Sequence, residues 1–325
     1  MIPGLVILFF LFVLLLIRSA DIVVVSLKRL SVETHTKVFA LSAVLLAMAT
    51  SFPELFVGIT SALEEAPHLS LGNVLGANIA NITLVAGLSA FIIGRVNVHS
   101  EFIRREVGIA LVAGIIPLVM LIDGSLSRVD GLILLAVYGA YVTSFFKERF
   151  LQIAHQHRKE GYVHRFLRNF TNPQMDIHKA REFAKLFIGV ALLIFSADVI
   201  VKVAKEIAII SNFPIFLVGL ILLSVGTTLP ELAFSIRSLE DKEPTMFLGN
   251  LLGSIIANST LILGMAATIY PIEVVAVKEV SIAAAAFVVV FLTFWFFVRS
   301  KLRLDRWEAG ILLLLYIGFV VAEFF

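Results

Sequence analysis

Cysteine is absent from this chain, and charge is scarce: only 15% of its 325 residues are Asp, Glu, Lys or Arg. The first absence excludes disulfides, thiolate metal sites and cysteine nucleophiles, and leaves the redox compartment unread. The second excludes a water-soluble globule, because too little polar surface is left to cover one of this size. Long polar stretches are missing too, apart from residues 147–179, so no sizeable soluble domain is left over. What is present is apolar. Hydrophobic side chains make up 59% of the chain and mean hydropathy is +1.00. Runs of about 20 apolar residues, enough to cross roughly 30 Å of hydrocarbon as a helix, recur from end to end.

Hydropathy with Gly, Pro and polar punctuation predicts an all-α integral membrane protein with ten spans, at roughly 2–29, 37–63, 70–94, 106–122, 129–146, 181–209, 213–238, 246–271, 279–298 and 307–324. The first stretch has no basic segment ahead of it and its pattern returns later, so it reads as a span rather than a signal peptide. Residues 1–146 and 180–325 form two halves joined by a basic linker, 147–179. With both termini on one side, most of the 26 Lys and Arg fall on the other: Lys28, Arg29, Lys37, Arg95, Arg104, Arg105, the linker cluster, Arg237, Lys242, and Arg299, Lys301, Arg303 and Arg306. The positive-inside rule makes that side cytoplasmic, with the linker, and leaves both termini external in a multi-pass cell-membrane protein.

The halves repeat. Thr50-Ser51-Phe52-Pro53-Glu54-Leu55 aligns with Thr227-Thr228-Leu229-Pro230-Glu231-Leu232 at an offset of 177. At the same offset Gly72-Asn73, Gly76, Asn81 and Gly87 pair with Gly249-Asn250, Gly253, Asn258 and Gly264, and Lys28 pairs with Lys205. Five spans per copy is an odd number, so the second copy is expected upside down relative to the first. That is the architecture of transporters with broken helices and a midplane site, and it favours alternating access.

A carboxylate in mid-span costs at least about 2.5 kcal/mol to insert, which marks Glu54 and Glu231 as functional candidates. Each follows a proline that donates no N–H, so Pro53 frees the carbonyl of Ala49 and Pro230 that of Gly226. Thr50 and Thr227 lie four residues before the glutamates, on the same helical face. Two carboxylates, two hydroxyls and freed carbonyls can supply the roughly six to eight oxygens at about 2.3–2.6 Å that Ca2+ prefers. No His or Cys lies in either motif, which argues against Zn2+ or Cu+. Asn81 and Asn258 offer further neutral oxygens, the glycines read as close-packing positions, and Asn73 and Asn250 read as interhelix hydrogen-bonding residues. The Phe-rich run 291–297 reads as lipid-facing bulk.

At these motifs the sequence resembles the Ca2+/cation antiporter superfamily, and more closely its prokaryotic sodium/calcium exchanger-like members, over nearly the whole chain. The resemblance implies ten helices, of which the first and sixth slide against a core. It implies Ca2+ ligation by Glu54, Glu231, Thr50 and Thr227, with Ser51, Thr228, Ser254, Asn81 and Asn258 around them and hydroxyls completing Na+ sites. Three positions depart from the family pattern: Ala49 for Gly, Ala77 for Ser, and Asn258 where Asp is frequent. Fewer Na+ ligands follow, and protonating both glutamates would discharge the site as one Ca2+ does. The sequence reading therefore leans to H+ as counter-ion for Ca2+, with a Na+/Ca2+ exchanger as the alternative. A cation channel fits offset broken helices less well, and an intramembrane hydrolase lacks an oriented base and nucleophile. The expected partners are small inorganic cations and the lipid bilayer, with no nucleic acid, no obligatory protein partner and no enzymatic activity.

Overall fold

In a lipid-spanning chain every backbone group must find its hydrogen bond internally, and long apolar runs satisfy this as helices. The computed structural model describes residues 2–33, 50–97, 101–156, 177–274 and 277–324, and is helical throughout apart from two short strand pairs. The helices are α1 (Ile2–Glu33), α2 (Phe52–Leu63), α3 (Pro67–Ala80), α4 (Ala86–Ile93), α5 (Glu101–Met120), α6 (Arg128–Gln156) and α7 (Ile177–Ser211). They continue with α8 (Ile215–Leu217), α9 (Ser224–Thr227), α10 (Leu229–Glu240), α11 (Pro244–Ile256), α12 (Leu263–Ile269), α13 (Val277–Lys301) and α14 (Arg306–Phe324). Among the described residues, 8 helical stretches are long and apolar enough to cross a membrane. Of the two other predicted spans, 37–63 is described only from residue 50, where α2 is a shorter apolar helix, and 129–146 lies within α6. Of the linker, residues 157–176 lie outside the described residues, as does Ala49.

Among the described residues, three wide, π-helical turns interrupt the helical run: Asn81–Val85 between α3 and α4, Val218–Leu223 between α8 and α9, and Ala257–Ile262 between α11 and α12. Such turns widen a helix locally and are frequent at functional sites. The first and third coincide at the repeat offset. So do the prolines that open α3 and α11, Pro67 and Pro244, and the left-handed residues just before them, Glu65 (φ 55) and Lys242 (φ 62). The strand β1 (Val96–Asn97) pairs antiparallel with β4 (Arg303–Leu304), and β2 (Ser125–Leu126) with β3 (Ile272–Glu273).

Two apolar clusters hold the fold. The larger gathers α3, α5, α11, α13 and α14. The smaller joins α1 to α7, with Phe9, Val13, Leu16, Ala20 and Val23 on one helix and Leu193, Ala197, Ile200, Ala204 and Ile207 on the other. Both sets step by four and three residues, the spacing of a seam between nearly antiparallel or parallel helices that interlock side chains. Arg29 on α1 pairs with Glu182 on α7 at 3.1 Å, and Lys205 on α7 donates to the carbonyl of Glu64, after α2, at 2.7 Å. The 291–297 run is not uniformly lipid-facing. Phe287, Phe291 and Phe294 are fully buried and stack edge to face, while Phe296 is 66% exposed, because a helix divides an aromatic run between its two faces.

Glycine lets α3 meet α8 and its π-turn backbone to backbone. A Cβ on Gly72 would strike the Phe216 carbonyl, one on Gly76 the Leu220 carbonyl, and one on Gly219 the Leu69 carbonyl. Gly72→Ala and Gly76→Ala are therefore expected to cost about 1–3 kcal/mol or more each through overpacking, read as lost monodisperse protein and a lowered Tm. Gly139→Ala, at an exposed site with open space around it, should be tolerated.

Candidate cation-binding site

Ser51 and Thr228 break the helical path at matched places, with dihedrals of −89°, 8° and −83°, −1°. This is the sparsely populated bridge region, where active-site residues often sit. Prolines 53 and 230 follow, and Glu54 and Glu231 stand in the first turns of α2 and α10. The glutamates are 0% and 1% exposed and close enough for their charges to interact.

The two halves meet by exchange. Thr50 Oγ1 donates to Asn250 Oδ1 at 2.9 Å, and Thr227 Oγ1 donates to Asn73 Oδ1 at 3.2 Å. Both asparagines thus make the interhelix bonds expected of them. Thr227 faces Glu54, while Thr50 and Ser254 face Glu231. Each threonine therefore also reaches the carboxylate of the opposite half, a contact that helical spacing alone did not suggest. Ser51 Oγ donates to Ser254 Oγ at 3.1 Å. The corresponding pair in the other half is Thr228 with Ala77, which has no hydroxyl, and Thr228 instead donates to its own helix at the Val225 carbonyl, 3.2 Å away.

What the site leaves open is oxygen, although the NH2 groups of Asn73 and Asn250 are buried beside it without acceptors. Neither oxygen of Glu54 or Glu231 accepts a hydrogen bond of normal geometry, and Asn258 Oδ1 and both amide atoms of Asn81 have no partner among the described residues. Buried polar atoms are almost always paired, and a buried charge with no counter-charge is costlier still. Four unpaired carboxylate oxygens and neutral amide and hydroxyl oxygens, walled from solvent, form a set that a hard cation satisfies. No group of three or more His, Cys, Asp or Glu occurs among the described residues, so hydroxyls and amides must complete any coordination shell.

Spacing had singled out Glu54, Glu231, Thr50, Thr227, Ser51, Thr228, Ser254, Asn81 and Asn258: Thr50 and Ser51 lead into α2, Glu54 and Glu231 open α2 and α10, Thr227 ends α9 with Thr228 after it, Ser254 is on α11, and Asn81 and Asn258 stand in the π-turns that follow α3 and α11. Gly226 is buried just ahead of the second break. Two residues escaped notice. Asn78 Nδ2 donates to Ser259 Oγ at 2.8 Å, and Asn258 Nδ2 donates to Asn78 Oδ1 at 3.1 Å. Their repeat mates are Ile255 and Ile82, so a search for matched residues passes over them.

A family profile described as "Sodium/calcium exchanger protein" matches residues 4–147 and again 182–325. The chain is similar to the inner membrane protein YrbG of Escherichia coli (strain K12), 30% identical over 263 residues that cover 80% of this chain and 78% of that protein. It is also similar to the sodium/calcium exchanger MaX1 of Methanosarcina acetivorans, 26% identical over 339 residues that cover 95% of each. Its fold matches a solved structure of the sodium-calcium exchanger NCX_Mj with a TM-score of 0.63, at 26% identity over 98% of both chains.

Proposed function

Because the chain belongs to the sodium/calcium exchanger family, and is thus a multi-pass membrane transporter of small cations rather than an enzyme, we propose that it exchanges Ca2+ for Na+ by alternating access at Glu54 and Glu231. The observation that carries the reading is the buried carboxylate pair. Its oxygens accept no hydrogen bond of normal geometry, and it is flanked on both sides by a threonine held by an asparagine of the opposite half. Two negative charges match one Ca2+, and oxygen is the only donor type present. Glu54, Glu231, Thr50 and Thr227 are the proposed ligands, with Ser51, Thr228, Ser254, Asn81, Asn258 and the carbonyls of Ala49 and Gly226 around them.

Two observations favour Na+ over the proton to which the sequence alone leaned. The Ser51–Ser254 hydroxyl pair keeps oxygens suited to a monovalent ion beside Glu231, and relatives over the full length of the chain bear the name sodium/calcium exchanger. Ala77 and Asn258 favour the second reading, exchange for H+, because they remove a hydroxyl and a charge from the Na+ shell. Either way, 45Ca uptake by purified protein in proteoliposomes must follow an opposing monovalent-cation gradient. Uptake indifferent to every such gradient would sink the antiporter reading.

Ten spans in two inverted five-helix repeats, residues 1–146 and 180–325 with the 147–179 linker between them, complete the proposal. The two family-matched segments support this division, and so do the matched π-turns, helix breaks and strand pairs. The continuous α1–α7 seam supports those two helices moving as a unit, although their cluster also touches Val57, Leu69, Val218 and Leu223 of the rest. The basic loops support a cytoplasmic linker with both termini outside. Protease added to right-side-out vesicles is accordingly expected to spare the linker, and cleavage there would reverse the orientation.

A further inference from the structure

The halves differ in what surrounds Asn258. It and its mate Asn81 are both buried, but only Asn258 has its NH2 group taken up, by Asn78 Oδ1 at 3.1 Å. Asn78 is 1% exposed and donates its own NH2 to Ser259 Oγ at 2.8 Å. With Ile255 and Ile82 at the related positions, the other half cannot build this chain of bonds.

An amide has two chemically opposite ends of nearly equal size. The carbonyl oxygen can ligate a cation, the NH2 end repels one, and half a turn about the last side-chain bond exchanges them. A buried asparagine is therefore a dependable cation ligand only where something else holds its NH2. Asn258 lies one helical turn past Ser254, which faces Glu231, and its Oδ1 is buried without a donor. The Ser259 hydroxyl takes the NH2 of Asn78, which leaves the Asn78 oxygen, not its nitrogen, turned to Asn258.

We infer that Asn78 and Ser259 are positioning residues that hold Asn258 with its carbonyl oxygen toward the Glu54/Glu231 site, making it a standing ligand for the divalent ion while the Asn81 amide is left to turn. The inference rests on the cation-site reading above. It makes the site unequal: one amide ligand is preset and its mate must be oriented by the ion itself.

A mutant cycle on the purified full-length protein, reading Ca2+ affinity by calorimetry and by uptake, tests it. Asn78→Leu should weaken Ca2+ binding by roughly tenfold or more, as loss of an orienting partner does at metal sites, and Ser259→Ala by a few-fold. The deciding background is Asn258→Asp. A carboxylate has two acceptor ends and no NH2 to park, so it needs no orienting, and there Asn78→Leu should change Ca2+ affinity less than about twofold. A role in packing alone would weaken binding equally in both backgrounds. Equal losses, or no loss on the Asn258 background, overturn the inference. If Asn78→Leu does not fold, the Ser259→Ala cycle reads the same difference with a smaller perturbation. Wild-type protein that binds no Ca2+, and is insensitive to Glu54→Gln as well, would remove the cation-site reading and this inference with it.

Discussion

Glu54→Gln and Glu231→Gln are each expected to abolish Ca2+ exchange while leaving a folded protein. Two unit charges about 4 Å apart attract by about 4 kcal/mol even at an effective dielectric constant of 20, so one lost carboxylate lowers affinity by about a thousandfold. Among the described residues no third acid joins the two carboxylates in a metal-holding group to compensate. Stability should move the other way or not at all. Each glutamate is buried and its oxygens accept no hydrogen bond of normal geometry, so exchanging a charge for an isosteric amide relieves a cost rather than breaking a strong contact. Uptake of 45Ca and a thermal melt on the same preparations separate the two effects. Near-normal uptake by either variant would remove the central claim, and loss of both uptake and fold would mean that the glutamates are structural.

The legible parts of this protein were those written twice. Thr50, Pro53 and Glu54 recur as Thr227, Pro230 and Glu231, and the duplication itself picks them out from 325 mostly apolar residues. The breaks at Ser51 and Thr228 also follow from local chemistry, because a proline two residues on forces them. The crossing of Thr50 to Glu231 and of Thr227 to Glu54 was hidden, since it depends on how the halves dock, and residues so far apart in sequence carry no periodic signal of docking. The π-turns were hidden for another reason. Asn81–Val85 and Ala257–Ile262 have helical dihedrals at both ends, and one extra residue per turn leaves the apolar pattern almost unchanged. Asn78 and Ser259 failed the repeat test because their mates are isoleucines, which is also what makes them informative: symmetry reveals the shared machinery and conceals what distinguishes one half. The aromatic run 291–297 misled because composition reports that residues suit lipid but not which face meets it.

The counter-ion divides the two readings of the site, and the expected result is that an opposing Na+ gradient drives Ca2+ uptake into proteoliposomes while a pH gradient alone does not. The argument turns on hydroxyls. Ser51 and Ser254 lie 3.1 Å apart across the two halves, close to the Glu231 carboxylate, and can turn their oxygens to a monovalent ion when one arrives. Ser51→Ala and Ser254→Ala should therefore raise the Na+ concentration needed for half-maximal exchange, by a few-fold for each lost ligand, about 1 kcal/mol per hydroxyl. In the other half the repeat mates of that pair are Thr228 and Ala77, so Ala77→Ser supplies the missing hydroxyl and should lower that concentration. Asn258→Asp should strengthen Na+ dependence further by adding a negative charge. Protons would leave a different record. If Glu54 and Glu231 carry H+ on the return step, apparent Ca2+ affinity must fall as the pH falls, because both ions claim the same carboxylates, and the serine variants must leave the coupling unchanged. Uptake that follows a pH gradient in the absence of Na+, with Ser51→Ala and Ser254→Ala indistinguishable from wild type, would overturn the Na+ reading and leave the carboxylate pair as the whole of the coupling mechanism.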